Sequence, residues 1–295
     1  MTVAELSNHR AITEHISRPM EKAIYGVIYL VSALVLAMVV FFIGVILYRG
    51  LPHVTIPFLS TAPNPVDQTI GILPSIINTL YIIVAALLIS VPIGVGGAIY
   101  LNEYATSKRF VRLIEFATET LSGVPSILYG VFGYMMFVLM FDLKVSLIAG
   151  TLTLAIMVLP IMIRTSQEAL RSVPESYREG ALGMGATKWY MVRTVLLPSS
   201  LMGILTGIIL SIGRMVGESA ALLLVAGGSA MYMPRGNLFQ QFASSGSTLS
   251  VELYRYAASR GDNETAFGIA AVLIVIVISL NLMTRFLAGR LSKNE

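Results

Sequence analysis

Two charged residues, Arg214 and Glu218, lie four positions apart inside a long apolar stretch that follows Pro198. A guanidinium at membrane depth costs at least ~2.5 kcal/mol even on lenient insertion scales, so it needs a counter-ion or a watery cavity. Its planar donors match the oxygens of an oxyanion in pairs, and it stays charged at any relevant pH. A nearby carboxylate accepts a hydrogen bond from a protonated oxyanion but repels one without a proton. The pair therefore indicates a path for an anion such as phosphate rather than sulfate.

Two further side chains are candidates for the same path. Arg164 stands at the end of the fourth apolar segment, and Ser126 lies in the third. Each has a second interpretation, because Arg164 suits a positively charged anchor at the membrane face and serines in membrane helices often pack against neighbouring backbone. Arg214 and Glu218 have one as well, since residues four apart on one helix face can neutralise each other and serve packing alone. The sequence leaves these alternatives open.

A polar segment at residues 164–197 separates two apolar stretches. Within it, Pro174 precedes Glu175–Leu182, which predicts a short helix, because proline suits the first turn and acidic residues favour the positive end of a helix. Gly183 and Gly185 follow, and glycine allows the backbone to turn sharply. A short rigid helix between two spans can transmit the motion of a partner, and the alternative is an amphipathic connector lying on the membrane surface.

The composition is that of a membrane protein. Of 295 residues, 56% are hydrophobic and 12% are charged, whereas a soluble domain has about a quarter charged. There is no cysteine and the three histidines are dispersed, so the sequence predicts no metal site. The net charge of +4 is typical of basic membrane-protein loops rather than of nucleic-acid binding. We find no pairing of nucleophile and base and no G-x-x-x-x-G-K-[ST], so we predict no catalytic residue in this chain.

Apolar runs predict an all-α integral membrane protein with six spans. A polar tail at residues 1–24 precedes one bundle over residues 25–290. Pro92 is expected to kink the second span. The six spans are expected at about 25–48, 75–101, 121–141, 145–163, 199–226 and 266–284.

The distribution of lysine and arginine predicts the orientation. With the N-terminus inside, the cytoplasmic parts hold 14 of the 20 basic residues and the outer loops hold five. Cytoplasmic loops carry an excess of Lys and Arg. We therefore expect both termini and the loop at 164–197 in the cytoplasm, and the long loop at 227–265 outside.

The loop at 164–197 resembles the EAA loop of ABC-transporter permeases. Glu179-Gly180-Ala181, then Gly185, then Val195–Pro198 follow the spacing of that motif, and the chain departs from it at Gly180 and Val195. The resemblance implies a coupling helix that docks into a separate ATP-binding subunit. The residues to which it assigns this coupling are Glu179, Gly180, Ala181, Gly183, Gly185 and Pro198.

Three further stretches resemble phosphate ABC permeases, and the length, with no large extra outer loop between the first two spans, is more similar to the A-subunit type than to the C-subunit type. The three stretches are Ala98–Ala105, Gly123–Gly130 and Arg214–Ala221. The resemblance implies a type I importer permease of the cytoplasmic membrane in which Arg214 is needed for transport and Arg164, less directly, corresponds to a second basic position. The implied partners are a PstC-type permease, a PstB-type ATPase dimer and a PstS-type external phosphate-binding protein. The chain itself would hold no cofactor, with ATP-Mg on the partner. The competing hypothesis is a self-contained secondary anion transporter or channel that uses Arg214 and Glu218.

Overall fold

The computed structural model describes residues 19–64, 69–228, 240 and 242–291. Within these residues the chain is helical, and its one β-type contact is an isolated bridge between Asn64 and Thr69. The helices are α1 (Pro19–Gly50), α2 (Ile56–Ser60), α3 (Leu73–Ile99), α4 (Lys108–Ser122), α5 (Ser126–Gly133), α6 (Leu147–Arg171), α7 (Glu175–Gly183), α8 (Lys188–Met191), α9 (Leu197–Val216), α10 (Ala220–Val225), α11 (Leu249–Tyr254) and α12 (Asn263–Leu291). Wider π-helical turns extend α3 to Tyr104, α5 to Met140, α8 to Leu196 and α11 to Arg260.

Among the described residues, five helical stretches are long and apolar enough to cross a membrane. A sixth candidate is a broken pair formed by α4 and by α5 with its π-helical turn, whose axes meet at 102°. The prediction of an all-α membrane protein is confirmed, and the count is six when the broken pair is taken as one span. The five long stretches are Lys22–His53, Leu73–Tyr104, Leu147–Arg171, Lys188–Val216 and Asn263–Phe286.

The chain divides into two compact units, residues 1–48 and residues 49–295. In the first unit α1 begins at Pro19, so residues 19–24 of the predicted polar tail are helical, and residues 1–18 lie outside the described part. Part of the predicted outer loop, residues 229–239 and 241, also lies outside it.

The third span is shorter than predicted. We expected it at about 121–141, but α4 ends at Ser122 and α5 begins only at Ser126. Pro125 lacks the N–H that a continuous helix needs, so the chain turns there. The charged residues that we assigned to a connection form α4, which begins where the Ser107 hydroxyl accepts a hydrogen bond from the Phe110 N–H at 3.4 Å.

The fourth and fifth spans also differ from the prediction. We expected the fourth to end at Ile163, but α6 continues to Arg171 because its polar residues are compatible with a helix. The fifth, predicted at 199–226, begins at Lys188, where the Thr187 hydroxyl caps it, and runs through Pro198. It ends at Val216, ten residues early. The polar loop between these spans is therefore limited to residues 172–187.

Close helix approach in the second unit depends on glycine. A methyl carbon placed on Gly94 of α3 would lie 2.6 Å from the Cβ of Met162 in α6, which is far inside van der Waals contact. A methyl on Gly207 of α9 would likewise overlap the Thr165 side chain of α6. Small residues let helices approach in lipid, where dispersion contacts replace the hydrophobic effect as the driving force. These contacts place α3, α6 and α9 around one apolar core.

The last span is capped by Asp262. Its carboxylate accepts a hydrogen bond from the Thr265 N–H at 3.1 Å. The hydrogen bond from the Thr265 side chain holds the pKa of Asp262 below its ordinary value, partly offset by burial. We expect Asp262→Ala to lower stability at neutral pH by about 1 kcal/mol, measured by thermal unfolding in detergent.

The effect of Asp262 has a defined pH dependence. Because the folded pKa is lowered, its contribution is present above the unfolded value of about 3.9 and is lost as pH falls through the folded pKa. The difference between parent and Asp262→Ala should therefore shrink below about pH 4. Asp262→Asn, which can cap but does not titrate, is the control, and an Asn variant as unstable as the Ala variant would contradict the capping role.

Candidate functional site

Two interrupted spans meet in the core. The first interruption is the turn at Gly123–Pro125 between α4 and α5, and the second is Gly217–Ser219 between α9 and α10. The segments that follow them pack together so closely that a methyl carbon on Gly130 would lie 2.7 Å from the Cα of Ala221. Interrupted helices in transporters leave backbone polar groups and helix ends facing a substrate path.

Arg214 stands in the last turn of α9, directly before the second interruption. Its side chain is half-buried, its Nε is fully buried without a hydrogen-bond partner, and it forms no ion pair with any described residue. A buried guanidinium donor without a partner is costly, so a donor that contacts no acceptor among the described residues is suited to a bound anion.

Glu218 does not share a helix face with Arg214, because α9 ends at Val216. Glu218 is 7% exposed, and its Oε1 accepts a hydrogen bond from the Ala221 N–H at 2.9 Å. It thereby satisfies a free donor in the first turn of α10, and this local bond favours the helix break over a continuous helix. The expectation that the two residues lie on one face was therefore wrong, and the structure shows no mutual ion pair.

Tyr129 spans the first interruption. Its hydroxyl donates to the Leu121 carbonyl at 2.8 Å, which bridges the bend from α4 to α5. Ser126 is half-buried at the start of α5, one turn before Tyr129 and on the same helix face. The sequence reasoning missed Tyr129, although it lies inside the family-like stretch Gly123–Gly130.

Arg164 lies elsewhere, seven residues before the end of α6 rather than at its end. Its guanidinium contacts Glu119 Oε1 at 3.4 Å and Glu168 Oε1 at 3.2 Å, so two carboxylates neutralise it and join α4 to α6. Beside these ion pairs is a pocket of about 210 Å³. Its lining residues are Glu115, Thr118, Glu119, Arg164, Gln167, Glu168 and Arg171.

The short helix predicted after Pro174 is present as α7, Glu175–Gly183. Gly185 has φ +82°, a left-handed conformation that side chains disfavour, and the Ala186 N–H returns to the Ala181 carbonyl at 3.1 Å. The glycine pattern therefore encodes the end of this helix. Pro198, expected to end the loop, lies instead inside the continuous fifth span.

The two faces of α7 differ. Ala181 is 5% exposed and packs into an apolar cluster with Leu170 of α6 and Val192. Glu179 and the neighbouring large apolar side chains are exposed, and Met184 is 86% exposed. Exposed apolar side chains beside a charged residue are typical of a surface that a partner covers. Those apolar side chains are Tyr177, Leu182, Met184, Trp189 and Tyr190.

Gly180 offers a test of which glycine the loop needs. A methyl carbon there meets nothing within 4 Å, and its φ is not positive. We expect Gly180→Ala to raise stability by about 0.5–1 kcal/mol, because alanine loses less entropy than glycine within a helix. Thermal unfolding of the purified chain measures this, and a destabilised variant would contradict the exposed, ordinary-helix environment of Gly180.

At the opposite end of α3 from α7, buried polar contacts hold α11. The Ser247 hydroxyl donates to Glu252 Oε1 at 2.6 Å, and Glu252 pairs with Arg255 at 2.8 Å. The Ser250 hydroxyl donates to the Glu218 carbonyl at 2.7 Å. The interruption after α9 is thus tied to α11. The sequence reasoning missed Glu252, for which the i,i+3 spacing to Arg255 was the available signal.

These features define a class of protein: a helical membrane permease with a short helix between two spans and with interrupted spans around a guanidinium that pairs with no carboxylate in the described part of the chain. Residues 90–294 match the family model described as "Binding-protein-dependent transport system inner membrane component". The chain belongs to this family, and it is therefore a multi-pass permease of the inner membrane.

Known proteins agree with this assignment. The chain is 33% identical over 287 residues to the probable ABC transporter permease protein YqgI of Bacillus subtilis (strain 168), covering 92% of this chain and 96% of the relative. It is 32% identical over 267 residues to the phosphate transport system permease protein PstA of Haemophilus influenzae, covering 90% and 92%.

Solved structures show the fold. A chain of the bacterial alginate ABC transporter, in complex with an alginate pentasaccharide-bound periplasmic protein, matches with a TM-score of 0.65 at 15% identity, covering 90% of this chain and 96% of that one. A chain of the inward-facing MetNI methionine ABC transporter matches with a TM-score of 0.59 at 20% identity, covering 75% and 94%. The predicted type I ABC importer permease fold is confirmed.

Proposed function

We propose that this chain is the A-type permease subunit of an ATP-driven importer of inorganic phosphate. The observation that carries the proposal is the Arg214 guanidinium at the interruption after α9, whose buried Nε has no hydrogen-bond partner among the described residues. A planar fork with free donors suits a tetrahedral oxyanion, and the relatives named as phosphate permeases support phosphate as that anion.

Selectivity for phosphate would come from Glu218. Its Oε1 accepts from the Ala221 N–H, and no described residue donates to its Oε2. A protonated phosphate oxygen can donate to this carboxylate, whereas sulfate carries no proton at neutral pH and meets only repulsion. Ser126 and Arg164 are further candidates along the path, and Arg164 must separate from Glu119 and Glu168 before it can bind an anion.

Transport would proceed by alternating access driven through α7. In this proposal both termini and α7 face the cytoplasm, and a PstB-type ATPase dimer that carries ATP-Mg covers the exposed face around Glu179 and Met184. A PstC-type permease completes the path, and a PstS-type binding protein delivers phosphate from the outer side, where we predicted the loop at 227–265. This chain supplies the path and the coupling helix but no chemistry. Arg214 must bind weakly, because a tight site would trap the ion.

The test is radiolabelled phosphate uptake into vesicles that contain the chain with its co-expressed partners. We expect uptake that requires ATP and that excess sulfate does not reduce. Uptake that proceeds without ATP but follows a proton gradient would support the secondary transporter instead. Competition by sulfate as strong as that by unlabelled phosphate would contradict the role proposed for Glu218.

A further inference from the structure

Arg178 of α7 has no role in the proposed anion path, yet its guanidinium makes several hydrogen bonds to other described residues. Its side chain is 11% exposed. Nη2 donates to the Leu170 carbonyl at 2.7 Å, and Nη1 donates to the Val173 carbonyl at 3.0 Å. Nε donates to Glu103 Oε1 at 3.3 Å, and the Glu103 side chain is 8% exposed. One side chain thus joins α7 to the end of α6 and to the end of α3.

Glu103 continues these contacts toward α4. Its Oε1 also accepts from Asn102 Nδ2 at 2.6 Å, and Asn102 Oδ1 accepts from Arg171 Nε at 3.4 Å. Arg171 then pairs with Glu115 of α4. A chain of polar contacts therefore runs from α7 through the end of α3 to α6 and α4, and α4 leads directly into the interrupted third span.

The apolar contacts of α7 point the same way. Ala181, one turn after Arg178, packs in a cluster that includes Ala98 near the end of α3 and Leu170 of α6. Separating the pair would leave the buried Glu103 carboxylate without its ionic partner, while Arg178 would keep only the exposed Glu175, whose Oε2 lies 3.2 Å from its Nη1. The two helices therefore part only at high cost. Contacts between small apolar side chains and one buried ion pair thus hold α7 to the end of α3, so the two move together.

We propose that the Arg178–Glu103 pair is the joint through which displacement of α7 reaches α3. The two residues act by position and do not touch the transported ion. This assignment rests on the proposed function, since it requires a partner ATPase that moves α7. It gives a role to Glu103, which lies in the family-like stretch Ala98–Ala105 and has no place in the path.

The experiment uses the full complex in lipid with cysteine-free partners. The chain has no cysteine, so Leu88→Cys provides a single site for a spin label on α3, at a side chain that is 71% exposed. Three quantities are measured: the change in the label's spectrum on adding ATP, the ATP hydrolysis rate, and the phosphate imported per ATP. We expect Arg178→Gln and Glu103→Gln to reduce the spectral change and the phosphate per ATP by at least about tenfold, while the ATPase stays bound in a pull-down.

The matched control is Arg193→Gln. Arg193 is an exposed arginine near the start of the fifth span that pairs with no described carboxylate, so the variant should keep the parental spectral change, ATP hydrolysis rate and phosphate per ATP. Arg178→Lys keeps the charge but lacks the planar set of guanidinium donors. It should import more phosphate per ATP than Arg178→Gln and less than the parent. A merely structural role would lower the amount of complex without changing phosphate per ATP in the complex that remains.

The outcomes separate this proposal from the proposed function. If both Gln variants keep the parental spectral change and the parental amount of phosphate imported per ATP, the proposed role of the Arg178–Glu103 pair as the joint is overturned. Should a Gln variant fail to assemble, Glu103→Asp keeps the charge with a shorter reach, and parental coupling in it would overturn the joint equally. If the parent complex shows the spectral change on adding ATP but imports no phosphate, the proposed function is overturned and the proposed joint is not. A parent without any ATP response would overturn both.

Discussion

An Arg214→Gln permease is expected to assemble with its partners and to import at least about 100-fold less phosphate than the parent, because two charge-assisted hydrogen bonds are lost together. Glutamine is shorter than arginine, and although its amide can still donate, it carries no charge to offset that of the anion. Assembly should persist, because Arg214 forms no ion pair with any described residue and its loss leaves no partner unpaired. Vesicle uptake of radiolabelled phosphate with a parallel pull-down of the complex measures both quantities.

Two companion variants sharpen this test. Arg214→Lys keeps the charge but presents a point ammonium instead of a fork, so uptake should fall between that of the parent and that of Arg214→Gln. Arg193→Gln makes the same chemical change at an exposed arginine and should leave uptake unaltered. Normal uptake in Arg214→Gln would refute the anion role, and an absent complex would show that Arg214 serves packing.

Substitution of Gly185 is expected to uncouple the ATPase. Gly185 has φ +82°, where a Cβ costs roughly 1–2 kcal/mol and a β-branched residue more. Nothing lies within 4 Å of a Cβ built there, so the penalty is conformational and not a steric clash with neighbours. Gly185→Val should therefore distort the turn after α7 and either release the ATPase or raise the ATP consumed per phosphate several-fold.

The comparison that isolates the backbone is Gly185→Ala against Gly180→Ala. Both methyl groups would stand in open space, but only position 185 has a positive φ. We expect the larger loss of ATPase binding and coupling at Gly185, measured by pull-down and by ATP hydrolysed per phosphate imported. Equal losses at the two positions would show that ATPase binding and coupling depend on the surface of this segment and not on the backbone turn at Gly185.

Sequence reasoning succeeded where the signals are local. The bounds of α7 could be predicted to within a residue, because the residues that delimit this helix lie at its ends or close beside them. They are Pro174, Glu175 and Gly185. Long apolar runs likewise located five spans, because length and composition suffice to identify them.

It failed where a short-range polar contact competes with an apolar pattern. The stretch after Pro198 stays apolar through residue 226, but the Glu218 carboxylate binds the Ala221 N–H and ends the helix ten residues early. Charges also misled the prediction at α4, because charged residues at helical spacing form an amphipathic helix as readily as a loop. The Arg178–Glu103 contact joins residues 75 positions apart, and no local pattern in one sequence predicts such a pair.

The bend at Gly123–Pro125 has a consequence for the lipid around the protein. The segment beyond it has 8 α-helical and 7 π-helical residues, so it reaches no more than about 22 Å, against a hydrocarbon thickness of about 30 Å. Hydrophobic mismatch of this size is relieved by local thinning of the bilayer or by protein that covers the ends of the segment. Transport should then depend on acyl-chain length and be fastest in thin membranes.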